Sequence, residues 1–209
     1  MSTILCIVAH PDDEIVGMGG TILKYLDESK KVITIIFSYG EKSHPHLKEK
    51  IIKKTREGET KKLDELLKRK SIFLGLTEGK ITQEAEEKKV RGKLAKLIQK
   101  YKPAKIFTHN ANDPHPDHRA VHQVVKDVVE NIKYKRSFLT FEVWNITNEN
   151  APVVYVDISD YFKKKLELMK IYESQKHFIY ILLLPIILRA WNYGRKNNCK
   201  YAERFYKLK

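Results

Sequence analysis

Two short stretches hold the residue types that could do chemistry. The first, Ala9-His10-Pro11-Asp12-Asp13-Glu14, follows directly on the apolar run Ile4-Leu5-Cys6-Ile7-Val8. An imidazole and two adjacent carboxylates at the end of a buried strand suggest a metal site. His10 and Asp13 offer a nitrogen and an oxygen of the kind zinc accepts, and Asp12 is left over. The competing reading is a capped turn, with Asp12 or Asp13 as N-cap of the next helix and His10 merely exposed. The second stretch runs from Thr108 to Arg119 and contains His109, Asp113, His115, Asp117 and His118. It follows Ile106-Phe107 and precedes a helical pattern through Val121, Val124, Val125 and Val128. Two strand-end loops, each rich in His and Asp, are far less expected by chance than one.

Together these stretches carry A-H-P-D-D-E and H-x-D-H without substitution. Here the sequence resembles the LmbE-like (PIG-L) N-acetylglucosaminyl deacetylase family. The resemblance implies that His10, Asp13 and His118 ligate one zinc ion per chain and that Asp12 is the general base. It implies that His115 stabilises the oxyanion of amide hydrolysis, with Asp117 fixing its orientation and favouring its protonated form. Protonation of the departing amine by His115 is the other role open to it. Arg56-Glu57-Gly58-Glu59 resembles the family's R-x-x-E pair. By that likeness Arg56 reaches the sugar or its anionic appendage, and Glu59 supports the architecture; the alternative is an ordinary surface ion pair. Lys165, Tyr172, Ser174-Gln175 and Tyr201–Phe205 resemble a less specific C-terminal signature, so the likeness runs from residue 4 to 205. Some members carry a tyrosine two residues before the first histidine of the second motif. This chain has Asp113 there, which leaves a tyrosine-assisted step without that residue.

Other residues near the motifs take plainer readings. Glu14 should hydrogen-bond locally and shape the first loop. His122 falls four residues after His118 but lacks the glutamate of H-E-x-x-H, so it reads as a supporting or surface residue. His44 and His46, in a polar loop, read as surface residues.

The elements that must position these loops alternate. Strands are expected over 3–9, 32–37, 71–74, 105–108, 138–144 and 153–156, with a polar turn at 147–150 between the last two. Helices are expected over about 17–29, 48–69, 83–101, from the second motif to about 131, and near 160–174. Gly17, Gly19 and Gly20 suit close approach where strand turns into helix. They do not form the dinucleotide fingerprint, because His-Pro-Asp-Asp occupies its turn. The order predicts an α/β, Rossmann-like doubly wound, mostly parallel sheet with helices on both faces. In a sheet of order 3-2-1-4-5 the first and fourth strands are neighbours, which brings the two loops together.

Composition bounds the rest. The chain has 209 residues, with no repeat or linker, and suits a single domain over 1–209. Cys6 and Cys199 cannot form a disulfide framework; with no signal sequence in view, a cytoplasmic location is expected. Lysine and arginine outnumber acids 40 to 26, a formal +14, mixed along helical segments rather than interleaved with aromatics. No specific nucleic acid is therefore expected as partner. The most apolar run, 178–188, is too short to span a bilayer and contains Pro185. It reads as a buried segment, a subunit contact in a homo-oligomer, or a weak membrane patch flanked by cations. The expected function is metal-dependent removal of acetyl from an N-acetylglucosamine-containing carbohydrate or glycoconjugate. The alternatives are an amidase on another glycoconjugate with the same zinc site, or a non-catalytic basic module that binds nucleic acid or anionic surfaces.

Overall fold

A computed structural model describes residues 2–43, 46, 48–144 and 149–209. Five parallel strands come first in the sheet: β1 (Thr3–Val8), β2 (Lys31–Ser38), β3 (Lys70–Leu76), β4 (Lys105–His109) and β5 (Ser137–Phe141). With β6 (Val153–Asp157) and β7 (Ala202–Lys207) the order is β3-β2-β1-β4-β5-β7-β6, and β7 runs antiparallel to both its neighbours. The expected order 3-2-1-4-5 is present, extended by this antiparallel pair. His44 and part of the expected turn, Thr147-Asn148, lie outside the described residues, while His46 is exposed.

Alternation along the central strands explains the two layers of helices. Ile4, Cys6 and Val8 of β1 face one core, and Leu5 and Ile7 face the other. The first core is covered by α1 (Asp13–Asp27), α2 (Glu49–Leu67), α6 (Phe162–Met169) and α7 (Lys176–Lys196). The second is covered by α3 (Ile81–Glu87), α4 (Val90–Tyr101) and α5 (Pro116–Asn131). With both faces covered, central strands read as unbroken apolar runs, as their sequences do. Gly17 shows how closely α1 sits on the sheet: a Cβ there would lie 2.2 Å from the Phe141 ring.

Four local departures have physical causes. α1 starts at Asp13, ahead of the expected 17, because helical bonds from Ile15 and Val16 already close on the Asp12 carbonyl at 2.9 Å. The expected helix over 83–101 is two helices, broken where Lys89 takes φ +52°. The expected helix near 160–174 ends at Met169 and is followed by a single 3-10 turn, Glu173–Gln175. β7 has no apolar alternation to betray it, because its charged residues are buried and paired. Glu203 accepts from Lys165 Nζ at 2.6 Å and from the Gly20 and Thr21 amides, and Arg204 pairs with Glu142. The run 178–188 lies within α7, with Ile179, Leu182 and Ile186 buried and other side chains exposed.

Candidate active site

Because β1 and β4 pair directly, the loops leaving their carboxyl ends open into one crevice. The donor atoms of His10, Asp13 and His118 lie within 4.8 Å of one another, and all three residues are buried. His118 Nε2 is 3.3 Å from Asp13 Oδ1, and its Nδ1 is 3.0 Å from Asp113 Oδ1. His118 thus faces two carboxylates without a well-directed hydrogen bond to either. A ligating imidazole commonly has a carboxylate behind its far nitrogen, which fixes tautomer and ring orientation. Asp113 stands in that place and is itself steadied by the His115 amide at 2.9 Å. Sequence reasoning saw Asp113 only as a missing tyrosine; its position in a His-rich loop was the available signal.

The charge balance suits a cation. Burial works against a charged His118, but Asp13 and Asp113 outweigh it and raise its pKa to about 10. Burial likewise works against ionised Asp13, and His118 and His109 reverse that, holding its carboxyl well below the usual range. A metal arriving here would displace the His118 proton. His109 is not one of the expected ligands. Its Nε2 accepts the Ala9 amide at 2.9 Å, its ring stacks on His118 at 3.9 Å, and burial lowers its pKa to about 4. His122 is buried, with Nδ1 2.8 Å from the His109 carbonyl, so it supports the end of β4.

Asp117 departs from its expected partner. Its carboxylate lies 3.1 Å from His10 Nε2 and accepts the Gly79 amide at 2.9 Å. To His115 it gives only its backbone N–H, which donates to Nδ1 at 3.2 Å. His115 is therefore the N-cap of α5, with Pro116 at the first helical position. Burial, then the charges of His118 and His10, lower the His115 pKa to about 4. The ring is neutral with its proton on Nε2, not held in the protonated form. The reason is that Asp117 lies in the first turn of α5, where its backbone N–H meets His115 while its carboxylate reaches His10 across the crevice.

Asp12 occupies a strained place. Its φ is +93°, in the region that disfavours side chains, at the start of α1. Its carboxylate does not cap the helix. Instead Oδ1 accepts from Arg56 Nη2 at 3.0 Å, and burial pushes its pKa up to about 7 against the pull of Arg56. A carboxylate that gains and loses a proton near neutrality suits general-base work. Arg56 is 2% exposed and also donates to the Pro11 and Gly40 carbonyls. Gly40 takes φ +66°, and a Cβ there would lie 1.8 Å from Arg56 Nη1, so glycine is what admits the guanidinium. Arg56 lines the cavity too, so the expected substrate contact and this brace draw on the same group.

Two supports act from outside the loops. Glu59 accepts the Ser174 amide at 2.8 Å and its hydroxyl at 2.6 Å, tying α2 to the 3-10 turn before α7. Glu14 does more than the local bonding expected of it: it pairs with Arg69, whose side chain is buried, at 2.6 Å. That partner is 55 residues away, and only the fold brings the two together.

The cavity above these residues is about 220 Å³. His10, Asp12, Asp13, His115 and His118 form its floor, while Trp144, Phe178, Ile179 and Leu182 form an apolar wall. This is smaller than the roughly 300–1,000 Å³ of sites for drug-sized ligands and suits one compact unit. The wall was not foreseen, since its residues carry no motif.

Comparison with known proteins adds an independent line. Residues 5–129 match the family model described as PIG-L, GlcNAc-PI de-N-acetylase. Diacetylchitobiose deacetylase of Thermococcus kodakarensis is 28% identical over 220 residues, covering 96% of this chain and 80% of that protein. The solved N,N'-diacetylchitobiose deacetylase of Pyrococcus horikoshii superposes with a TM-score of 0.82 at 26% identity, over 99% of this chain and 84% of that one. GalB of Pseudomonas putida, a 4-carboxy-2-hydroxymuconate hydratase, superposes at 0.84 with 19% identity, over 100% and 97%. That last likeness is one of fold alone.

Proposed function

This chain belongs to the PIG-L family, and from that premise we propose that it is a zinc-dependent hydrolase acting on N-acetylglucosamine units. It releases acetate and leaves a free amine on a small carbohydrate or glycoconjugate. The observation that carries the reading is the buried cluster of His10, Asp13 and His118, with the Asp12 carboxylate, held by Arg56, on the same cavity floor. The set of two nitrogens and one carboxylate oxygen is a usual donor set for catalytic zinc. His10, Asp13 and His118 would hold the ion. When bound, it would polarise the amide carbonyl and make water a better nucleophile near neutral pH.

The chain's own groups do the rest. Asp12, held by Arg56, takes a proton from the attacking water as the carbon–oxygen bond forms. It then returns that proton to the nitrogen as the carbon–nitrogen bond breaks. Neutral His115 presents Nε2–H to the oxyanion that develops at the substrate carbonyl; such a donor is worth about 100- to 1000-fold in rate. α1 and α5 both begin at these loops, with Asp12 and His115 as N-caps, and their N-termini would favour negative charge there. Asp117 and Asp113 hold His10 and His118 in position from behind. Arg56 keeps Asp12 aimed and, as part of the cavity lining, would also meet the substrate. We assign the whole chain to one domain working in the cytoplasm.

Amine release from N-acetylglucosamine, its disaccharide and its inositol conjugate tests this, with and without chelator and added zinc. Release that chelator abolishes and zinc restores is expected from at least one of them. No release from any, with zinc bound, contradicts the substrate class. Release only from a different N-acylated glycoconjugate would select the amidase alternative.

A further inference from the structure

Helix α7 is apolar on two sides, and the fold covers only one. Ile179, Leu182, Ile186, Ala190 and Tyr193 are buried. On the opposite side Ile181, Leu184, Leu188 and Trp191 recur at helical spacing and are 67, 63, 55 and 48% exposed. Of the nine exposed large hydrophobic residues among the described ones, six belong to this helix. A helix apolar all round ordinarily lies inside a core or against a membrane. A contiguous exposed patch of this kind marks an interaction surface.

Charge points to what covers it. Residues 176–196 contain no acidic side chain and four Lys or Arg: Lys176, Arg189, Arg195 and Lys196. Lys176 Nζ sits 5.8 Å from the centre of the Tyr180 ring, and the Arg195 guanidinium sits 5.1 Å from that of Trp191. Each end of the apolar stripe thus closes in an aromatic ring with a cation beside it. Helices that lie in a lipid interface put apolar side chains at the acyl boundary and cations among the headgroups in this way. Beside the stripe runs a groove of about 370 Å³, lined by Leu166, Ile179 and Leu183, with Lys170, Lys176 and one acid, Glu173, in its lining. A second copy fits less well: two acid-free helices would meet on chains that each carry a formal +14. No described helix is long and apolar enough to cross a membrane.

We propose that α7 seats this protein on anionic lipid bilayers, lying along the surface with Ile181, Leu184, Leu188 and Trp191 at the acyl boundary. Phe178, Ile179 and Leu182 of the same helix wall the catalytic cavity, so seating holds the cavity mouth close to the lipid. The seating does not depend on the deacetylase reading, and its test uses no turnover.

The full chain is sedimented with phosphatidylcholine vesicles, with and without about 30% phosphatidylglycerol, at low and high salt. Binding should be at least about tenfold tighter to the anionic vesicles and weaken as salt rises. Ile181→Asp with Leu184→Asp should lose at least about tenfold in affinity while keeping the circular dichroism spectrum and thermal midpoint. Lys176→Glu with Arg195→Glu should lose the preference for anionic lipid. The proposal is overturned by absence of vesicle binding or by equal binding to neutral vesicles. It is equally overturned by a wild-type dimer in light scattering that the Ile181/Leu184 double variant converts to monomer.

Discussion

Residues 5–129, which match the family model, and residues 130–209 divide the cavity between them. The first segment supplies the whole floor, and the second supplies Trp144, Phe178, Ile179 and Leu182 of the wall. Floor residues are over-determined. Asp117 holds His10, Asp113 backs His118, Arg56 holds Asp12, and Arg69 anchors Glu14 beneath them. Wall residues are apolar, and three of them, Phe178, Ile179 and Leu182, stand on a helix exposed along its far side. On the proposed function, the chemistry would fall to the first segment and the choice of what reaches it to the second.

The comparison can be broken from the floor first. Asp12→Ala should lower kcat by about 100- to 10,000-fold with the fold intact, measured as amine release at saturating substrate. A near-normal rate would give the base to another group. Next in size, Glu14→Ala leaves Arg69 buried without that partner and should cost about 3–5 kcal/mol in urea unfolding. A loss below about 1 kcal/mol would mean that Asp64 and Thr34, 2.8 and 3.3 Å from Arg69, carry it unaided. Asp113→Ala should weaken zinc binding by about 10- to 100-fold in competition with a chelator, while Asn in its place restores part of that. From the wall comes the smallest effect. Trp144→Ala should raise KM by about two- to tenfold and leave kcat nearly unchanged. An equal fall in kcat would show that wall and floor are not separable.

How much of this was legible follows the same division. The βα alternation and the two motifs place the strands, the switch point and the triad, because apolar runs and His/Asp clusters are local signals. What escaped depends on tertiary partners. Glu203 and Arg204 hid β7 because their burial is tolerable only opposite Lys165 and Glu142. Asp113 and Arg69 gain their roles from neighbours that no spacing rule supplies. Asp117 was read onto His115, two residues before it, and the crevice offered it His10 instead. The run 178–188 was visible as apolar, but which half of it the fold covers required the sheet beneath.

The central claim is that His10, Asp13 and His118 close on one divalent ion while Asp12 stays free of it. Zinc titration by calorimetry of the wild type, Asp12→Ala and His118→Ala tests this most directly. One ion per chain in the first two, with little change in affinity, and none in the third is the predicted result. Loss of the ion from Asp12→Ala, or its retention by His118→Ala, would contradict the assignment.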